Sequence, residues 1–263
     1  MGIKIINMPI KLLLVSLSVL SGFYTLGQPA QSGTIISSSS YGLYFRGYNG
    51  GEVAFDNNGK PKIGDYNIES IRGQLYWNNE FQPAKLYLKE NKYLGEFDIK
   101  YEMLNMVFYV KYKDQSDMKV IDPSYIEKVE FIKNVNGFEH PIFVNSFFHL
   151  SAKTKGLPNG YLQELLTGVL SIYKMNKVLI RYQDSLFGSI KKPFLIDKST
   201  YYLFYKGEFK EVKKLSNKNI QQVFPSLRSE LSQLEGKKIN WNDESDVVLN
   251  MALLNSVLKK KEY

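Results

Sequence analysis

From about Ile68 on, apolar and polar residues alternate with a period of two in short runs separated by polar turns. That pattern constrains the chain more than any other feature, because only half-buried strands place every second residue on one face. In AKLYLKE, Leu86 and Leu88 share a face opposite Tyr87. In EFDIKY, Phe97, Ile99 and Tyr101 lie opposite Asp98 and Lys100, and in IEKVEFI, Val129 and Phe131 lie opposite Lys128 and Glu130. The run MVFYVKY is apolar on both faces and therefore needs cover on both. The C-terminal helices are the expected cover, with Tyr109 and Tyr112 as the rings whose exposure decides between scaffold and ligand surface. The interruptions KENK, KYKDQSD and NVNG read as the turns of an antiparallel meander, and β-branched and aromatic residues suit its pleated surface.

A second strand-forming group follows KGLPNG. GVLSIYK and KVLIRYQ flank Met175-Asn176, which predicts a hairpin, and STYYLFYKGEFKEVKK predicts two strands around a tight Lys206-Gly207 turn. YLQELLTGVL fits either a helical turn or a strand. The period then changes. Ser216 or Asn217 is placed to cap a short helix, Pro225 to open the next, and Leu227, Leu231 and Leu234 share a face that Gly236 ends. Val247, Met251, Leu254 and Leu258 form the stripe of a last helix beginning near Asp243, with Trp241 before it and lysines at its end. The expected fold class is α+β: an antiparallel β-meander or sheet over residues 67–215, then two or three C-terminal helices over 216–263 packing on it. A membrane barrel would require strands through to the C-terminus, and the helical last fifth opposes it.

The N-terminal stretch has a different character. Lys4 and Lys11 precede an uncharged apolar run from Leu12 to Leu26, and Thr25 and Gly27 suit a cut before Gln28, with a cut after Ala30 as the alternative. Residues 1–27 are accordingly expected to be a signal peptide, followed by no transmembrane segment. Residues 28–66, rich in Ser, Gly and Asn, are expected to be an irregular arm in which GLYF and EVAF are the only strand-like pieces. The chain has no cysteine, so it carries neither a lipoprotein anchor nor a disulfide. Its net charge of +8 is spread along the chain, which does not suit nucleic acid. These features predict an exported protein, periplasmic or extracellular.

Reactive constellations are sparse. The two histidines, His140 and His149, are nine residues apart and adjoin no acidic cluster, so a zinc site is not expected. No G-x-S-x-G, Walker loop or G-x-G-x-x-G occurs. Glu96, Asp98, Glu102, Glu127 and Glu130 lie on strands and are the candidates for paired-carboxylate hydrolysis. Alternation places each on the solvent face or at a strand end, which favours a charged surface. Asp243, Glu244 and Asp246 suit a helix start better than a metal site. No catalytic, cofactor-binding or metal residue is assigned from the sequence, and no cofactor is expected.

Gly73, Tyr76 and Phe81 in GQLYWNNEF, Lys100-Tyr101-Glu102 where an RYN-like turn would fall, GVLSIYK, YYLFYKGEFKEV and LSNKNIQQVFPSLRSELSQLEGKKINW together resemble a loose group of exported Bacteroidota envelope proteins of unknown function. The resemblance covers about residues 70–258. It implies export and an α+β fold, and carries no catalytic residue. The sequence therefore points to a non-enzymatic envelope module that binds or supports a protein, peptide or glycan partner. A hydrolase using strand carboxylates and a carrier of an apolar ligand are the alternatives.

Overall fold

The computed structural model describes residues 45–46, 54–55, 61–63, 66–67, 70–111, 118–149, 160–184, 191–234 and 239–261. The expected signal peptide lies outside the described residues, as does Tyr112. The protein is mostly antiparallel sheet with a few helices. Its strands are β1 (Phe45–Arg46), β2 (Ala54–Phe55), β3 (Pro61–Ile63), β4 (Tyr66–Asn67), β5 (Gln82–Leu88), β6 (Lys92–Glu102), β7 (Val107–Lys111), β8 (Met118–Ile121), β9 (Ile126–Phe131), β10 (Ile142–Asn145), β11 (Tyr161–Leu166), β12 (Leu170–Met175), β13 (Val178–Asp184), β14 (Lys191–Asp197), β15 (Thr200–Tyr205) and β16 (Glu208–Val212). The helices are α1 (Ser146–His149), α2 (Asn217–Val223), α3 (Arg228–Ser232) and α4 (Glu244–Lys261).

One sheet holds eleven strands in the order β1-β8-β7-β6-β5-β9-β10-β11-β12-β15-β16. Two meanders therefore diverge from β5: one runs outward through β6, β7 and β8, and the other begins with β9 on the free edge of β5. Within the segment expected to be an irregular arm, β1 pairs with β8, and β2, β3 and β4 form a small sheet of their own.

The first half of the large sheet is rolled. Strands spaced ~4.8 Å apart would put β7 and β11, five steps apart, about 24 Å from each other in a flat sheet. Yet the rings of Phe108 on β7 and Tyr161 on β11 meet edge to face at 4.8 Å. The link from β8 to β9 agrees. It is only Asp122–Tyr125, tightened by the bond from the Tyr125 N–H to the Asp122 carbonyl at 3.2 Å, yet it joins strands four steps apart in the sheet. The roll is filled by Phe143, which touches Trp77, Tyr101, Phe108 and Phe131 at ring-centroid distances of 5.0 to 6.0 Å. Ile99 and Tyr101 point into this core, as alternation predicts.

The second half is covered by helices. Leu170, Ile172, Leu203 and Tyr205 on the sheet pack against Ile220, Leu227, Leu231, Val247, Met251, Leu254 and Leu258. The Ser216 hydroxyl accepts the Asn219 N–H at 3.2 Å, capping α2, and Pro225 opens a 3₁₀ turn that leads into α3. Asn255 of α4 accepts from the Leu170 N–H and donates to the Leu170 carbonyl, each at 2.8 Å, so its amide replaces a strand neighbour at the start of β12.

Two expectations need correction. The C-terminal helices do not cover MVFYVKY: Phe108 and Val110 belong to the roll core, and Tyr109, also buried, meets Tyr76 edge to face at 6.4 Å. GVLSIYK and KVLIRYQ do not pair with each other. β12 lies between β11 and β15, while β13 pairs with β14 as a separate ribbon. A two-residue hairpin turn of type I′ needs positive φ at both central residues. Lys206 (φ 49°) and Gly207 (φ 78°) supply it, whereas Met175 and Asn176 do not adopt positive φ. YLQELL is a strand.

Candidate functional site

The inner face of the sheet changes chemistry along one row. Register places Val129, Phe143, Gln163, Lys174, Tyr201 and Val212 side by side on β9, β10, β11, β12, β15 and β16. The row is apolar inside the roll and at its far end, and polar in between. At this polar seam, between the two cores, a cavity of about 510 Å³ opens.

Five stretches of chain build it. β12 and its continuation bring Lys174 and Asn176, and the ribbon brings Val178, Leu195, Asp197 and Ser199. Gly73, Gln74 and Trp77 come from the segment before β5, Met103 from the β6–β7 turn, and Asn136 from the turn after β9. The ribbon is held against the roll by backbone bonds from the Val178 N–H to the Met103 carbonyl at 3.2 Å and from the Leu195 N–H to the Arg72 carbonyl at 2.8 Å. Gly73 permits that approach. Its φ is 115°, and a Cβ there would lie 2.7 Å from the Leu195 carbonyl oxygen and Cβ.

The polar wall residues are held by hydrogen bonds or an ion pair. Gln74 donates to the Tyr76 carbonyl at 2.7 Å, and Asn136 donates to the Trp77 carbonyl. The Asn176 amide donates to the Gln163 carbonyl oxygen at 2.8 Å, and the Tyr101 hydroxyl donates to the Asn176 carbonyl at 3.3 Å. Asp197 accepts from the Ser199 N–H at 2.7 Å. Lys174 is paired with Glu244 at 2.7 Å, and the Tyr201 hydroxyl donates to the same carboxylate at 2.5 Å. Burial first, then the Glu244 hydrogen bond and charge, push the Tyr201 hydroxyl pKa above its ordinary value, which keeps it a donor.

The strand carboxylates stand elsewhere. Glu96 and Glu130 flank Lys85 across β6, β5 and β9, and Asp98 lies opposite Lys111, a ladder of alternating charge on the outer face. Glu127 accepts the Asn91 N–H at 3.2 Å. Glu102 departs from expectation, being fully buried. Its carboxylate accepts from the Leu104 and Asn105 N–H groups at 2.6 and 3.0 Å and from the Asn105 amide at 2.8 Å. It therefore closes the β6–β7 turn by accepting its Leu104 and Asn105 N–H groups. Burial raises its pKa, and those hydrogen bonds pull the other way. His140 lies in a second, more apolar groove against α4, with Pro141, Leu165, Leu166 and Leu249. Among the described residues no three His, Cys, Asp or Glu side chains gather as metal ligands.

Sequence reasoning did not single out Gln74, Asn136, Asn176, Asp197 or Ser199. They are ordinary turn and strand-end residues in the sequence, and only the ribbon brings them together. Two of the residues quoted for the resemblance, Tyr76 and Phe81, face the Lys100 ammonium, at 3.7 and 6.0 Å from their ring centroids. Comparison with protein-family models, with curated proteins and with solved structures finds no match for the chain. No helix among the described residues is long and apolar enough to cross a membrane.

Proposed function

We propose that this chain is an exported cell-envelope protein of α+β class, a non-enzymatic binding module whose site is the seam cavity. The observation that carries this is the wall itself. Its amide, hydroxyl and carboxylate groups come from several stretches of chain, line one space and are held by hydrogen bonds. Such pre-ordered polar groups around a pocket within the usual size range of ligand sites suit recognition of a polar partner. The strand carboxylates offered for hydrolysis sit instead in a surface ladder or close a turn. Export rests on the charged, apolar and small-residue order of residues 1–27, and the envelope setting on the resemblance over residues 70–258.

The test is crosslinking and affinity capture of the tagged protein from intact cells, alongside fractionation. The expected result is a shortened chain outside the cytoplasm, retaining an envelope peptide, protein or glycan that Asn176→Leu releases. A cytoplasmic, full-length chain overturns export. Failure to recover any envelope partner or surface polymer overturns the binding module.

A further inference from the structure

The hydrogen-bond pattern of the wall narrows the ligand. A side-chain amide offers one carbonyl acceptor and two N–H donors, so whichever end the protein engages leaves the other for a ligand. At the seam all three side-chain amides engage the protein through nitrogen. Gln74 directs its amide nitrogen to the Tyr76 and Trp77 carbonyls, at 2.7 and 3.4 Å. Asn136 directs its nitrogen to the Trp77 carbonyl, and Asn176 to Gln163. The three carbonyl oxygens, Oε1 of Gln74 and Oδ1 of Asn136 and Asn176, accept nothing from the described residues. Asp197 accepts from the Ser199 N–H through Oδ1 alone, leaving Oδ2. The wall's cation, Lys174, is neutralised by Glu244 at 2.7 Å. Residues lining the cavity thus keep unengaged oxygen acceptors on Gln74, Asn136, Asn176 and Asp197, the last a carboxylate.

Behind this set lies a further constraint. Gln163 is fully buried, and its Nε2 has no hydrogen-bond partner, while its carbonyl oxygen holds the Asn176 amide. A buried donor left unmade costs about 1–3 kcal/mol. The Gln163–Asn176 bond engages the Asn176 amide through its nitrogen, so its side-chain oxygen is the end left unengaged.

Resting on the seam cavity as a binding site, we infer that its ligand presents a primary ammonium group. Three N–H donors on one centre match the carbonyl oxygens, and the positive charge pairs with Asp197 in a charge-assisted bond. A cavity of about 510 Å³ holds much more than a bare cation and accommodates a sugar ring or a side chain behind the ammonium. An anionic or acceptor-rich ligand would face carbonyl lone pairs and the Asp197 charge. The two envelope sources of this chemistry are an amino sugar with a free amine and a lysine side chain of a peptide.

Titration calorimetry on the purified protein tests this with matched probes: glucosamine against N-acetylglucosamine, and Nα-acetyl-lysinamide against its Nε-acetylated form. The expected result is that at least one free amine binds about tenfold or more tightly than its acetylated twin, the better of the two naming the source. Asp197→Asn is expected to weaken that probe by about tenfold or more, with far-ultraviolet circular dichroism unchanged. Asn176→Leu removes one carbonyl and gives an independent second loss. Equal or tighter binding of an acetylated twin overturns the ammonium assignment and leaves the binding module standing. Calcium binding more tightly than either amine overturns the assignment in favour of a metal. No binding of any probe at millimolar concentration overturns the assignment, and absence of any captured envelope partner then overturns the module as well.

Discussion

The two halves of the large sheet solve one problem in different ways. A sheet buries one face only if something lies against it. The first half curls until it becomes its own cover, and it fills the interior with rings: Trp77, Tyr101, Phe108, Phe131, Phe143 and Tyr161. The second half borrows helices, and its core is dominated by leucines, eight of them from Leu170 to Leu258. Large flat rings reach across the wide gap inside a roll and meet edge to face. Leucines suit the ridges between a helix and a strand surface. The lesson is that side-chain shape follows the curvature of the sheet, and the polar seam falls where one solution gives way to the other.

The chain's two tryptophans make the comparison measurable, since Trp77 lies in the ring core and Trp241 packs against the leucine core. The largest effect is expected from Phe143→Ala, at about 3–5 kcal/mol in urea unfolding. If both single-tryptophan variants show the same loss, the halves unfold as one unit through the strands they share. A loss confined to Trp77 fluorescence would separate them. Leu254→Ala should cost about 3 kcal/mol with the emphasis reversed, Trp241 responding first in any stepwise transition. Asn255→Ala removes both bonds to Leu170 and should cost about 2 kcal/mol, detectable as faster hydrogen exchange at the start of β12. Ser216→Ala is the smallest, about 1 kcal/mol, and should leave Trp77 unaffected.

A pH dependence sharpens the contrast from the opposite face. There Val144, Leu162, Tyr173, Tyr202 and Phe209 form a third core. Burial, aided by the charge of Glu164 for one and Glu211 for the other, pushes the Tyr173 and Tyr202 hydroxyls from 10.0 up to about 12. Unfolded tyrosines release their protons near pH 10 while the folded ones keep theirs, so their contribution is complete below pH 10. It is lost as pH rises toward 12. Alkaline unfolding should steepen in that window, and Tyr173→Phe with Tyr202→Phe should flatten it. A slope unchanged by both substitutions would refute the assignment.

Local chemistry was legible in the sequence, and long-range chemistry was not. The Lys206-Gly207 turn, the Ser216 cap, Pro225 and the stripe from Val247 to Leu258 are set by residues within one or two turns of each other. The inward set of Ile99 and Tyr101 was readable for the same reason. The roll was hidden because it depends on Phe108 meeting Tyr161, fifty-odd residues away, and no period records that. Met175-Asn176 resembled a turn because a short break between two strand-like runs looks alike whether the chain reverses or leaves for a ribbon. Glu102 obeyed the alternation in direction but not in solvent exposure, since burial depends on what the neighbouring segment lays over it. The seam residues were invisible for the most general reason: each lies in a different stretch of chain, and nothing in any one stretch announces the others.

The position of β5 at the root of both meanders has a consequence for how the molecule is made. β5 to β8 can zip together hairpin by hairpin as soon as they are synthesised. Ala84, however, waits for Phe131 before its second edge is closed. Until then the unpaired edge of β5, with Leu86 beside it, is an open template on which a second nascent chain can add a strand. The four-residue link from β8 to β9 shortens that interval: once β8 is docked, it delivers β9 within a few residues of its place. A longer link should leave the finished fold nearly as stable and yet raise the fraction of chains lost to aggregation, a cost that appears in yield and not in melting temperature.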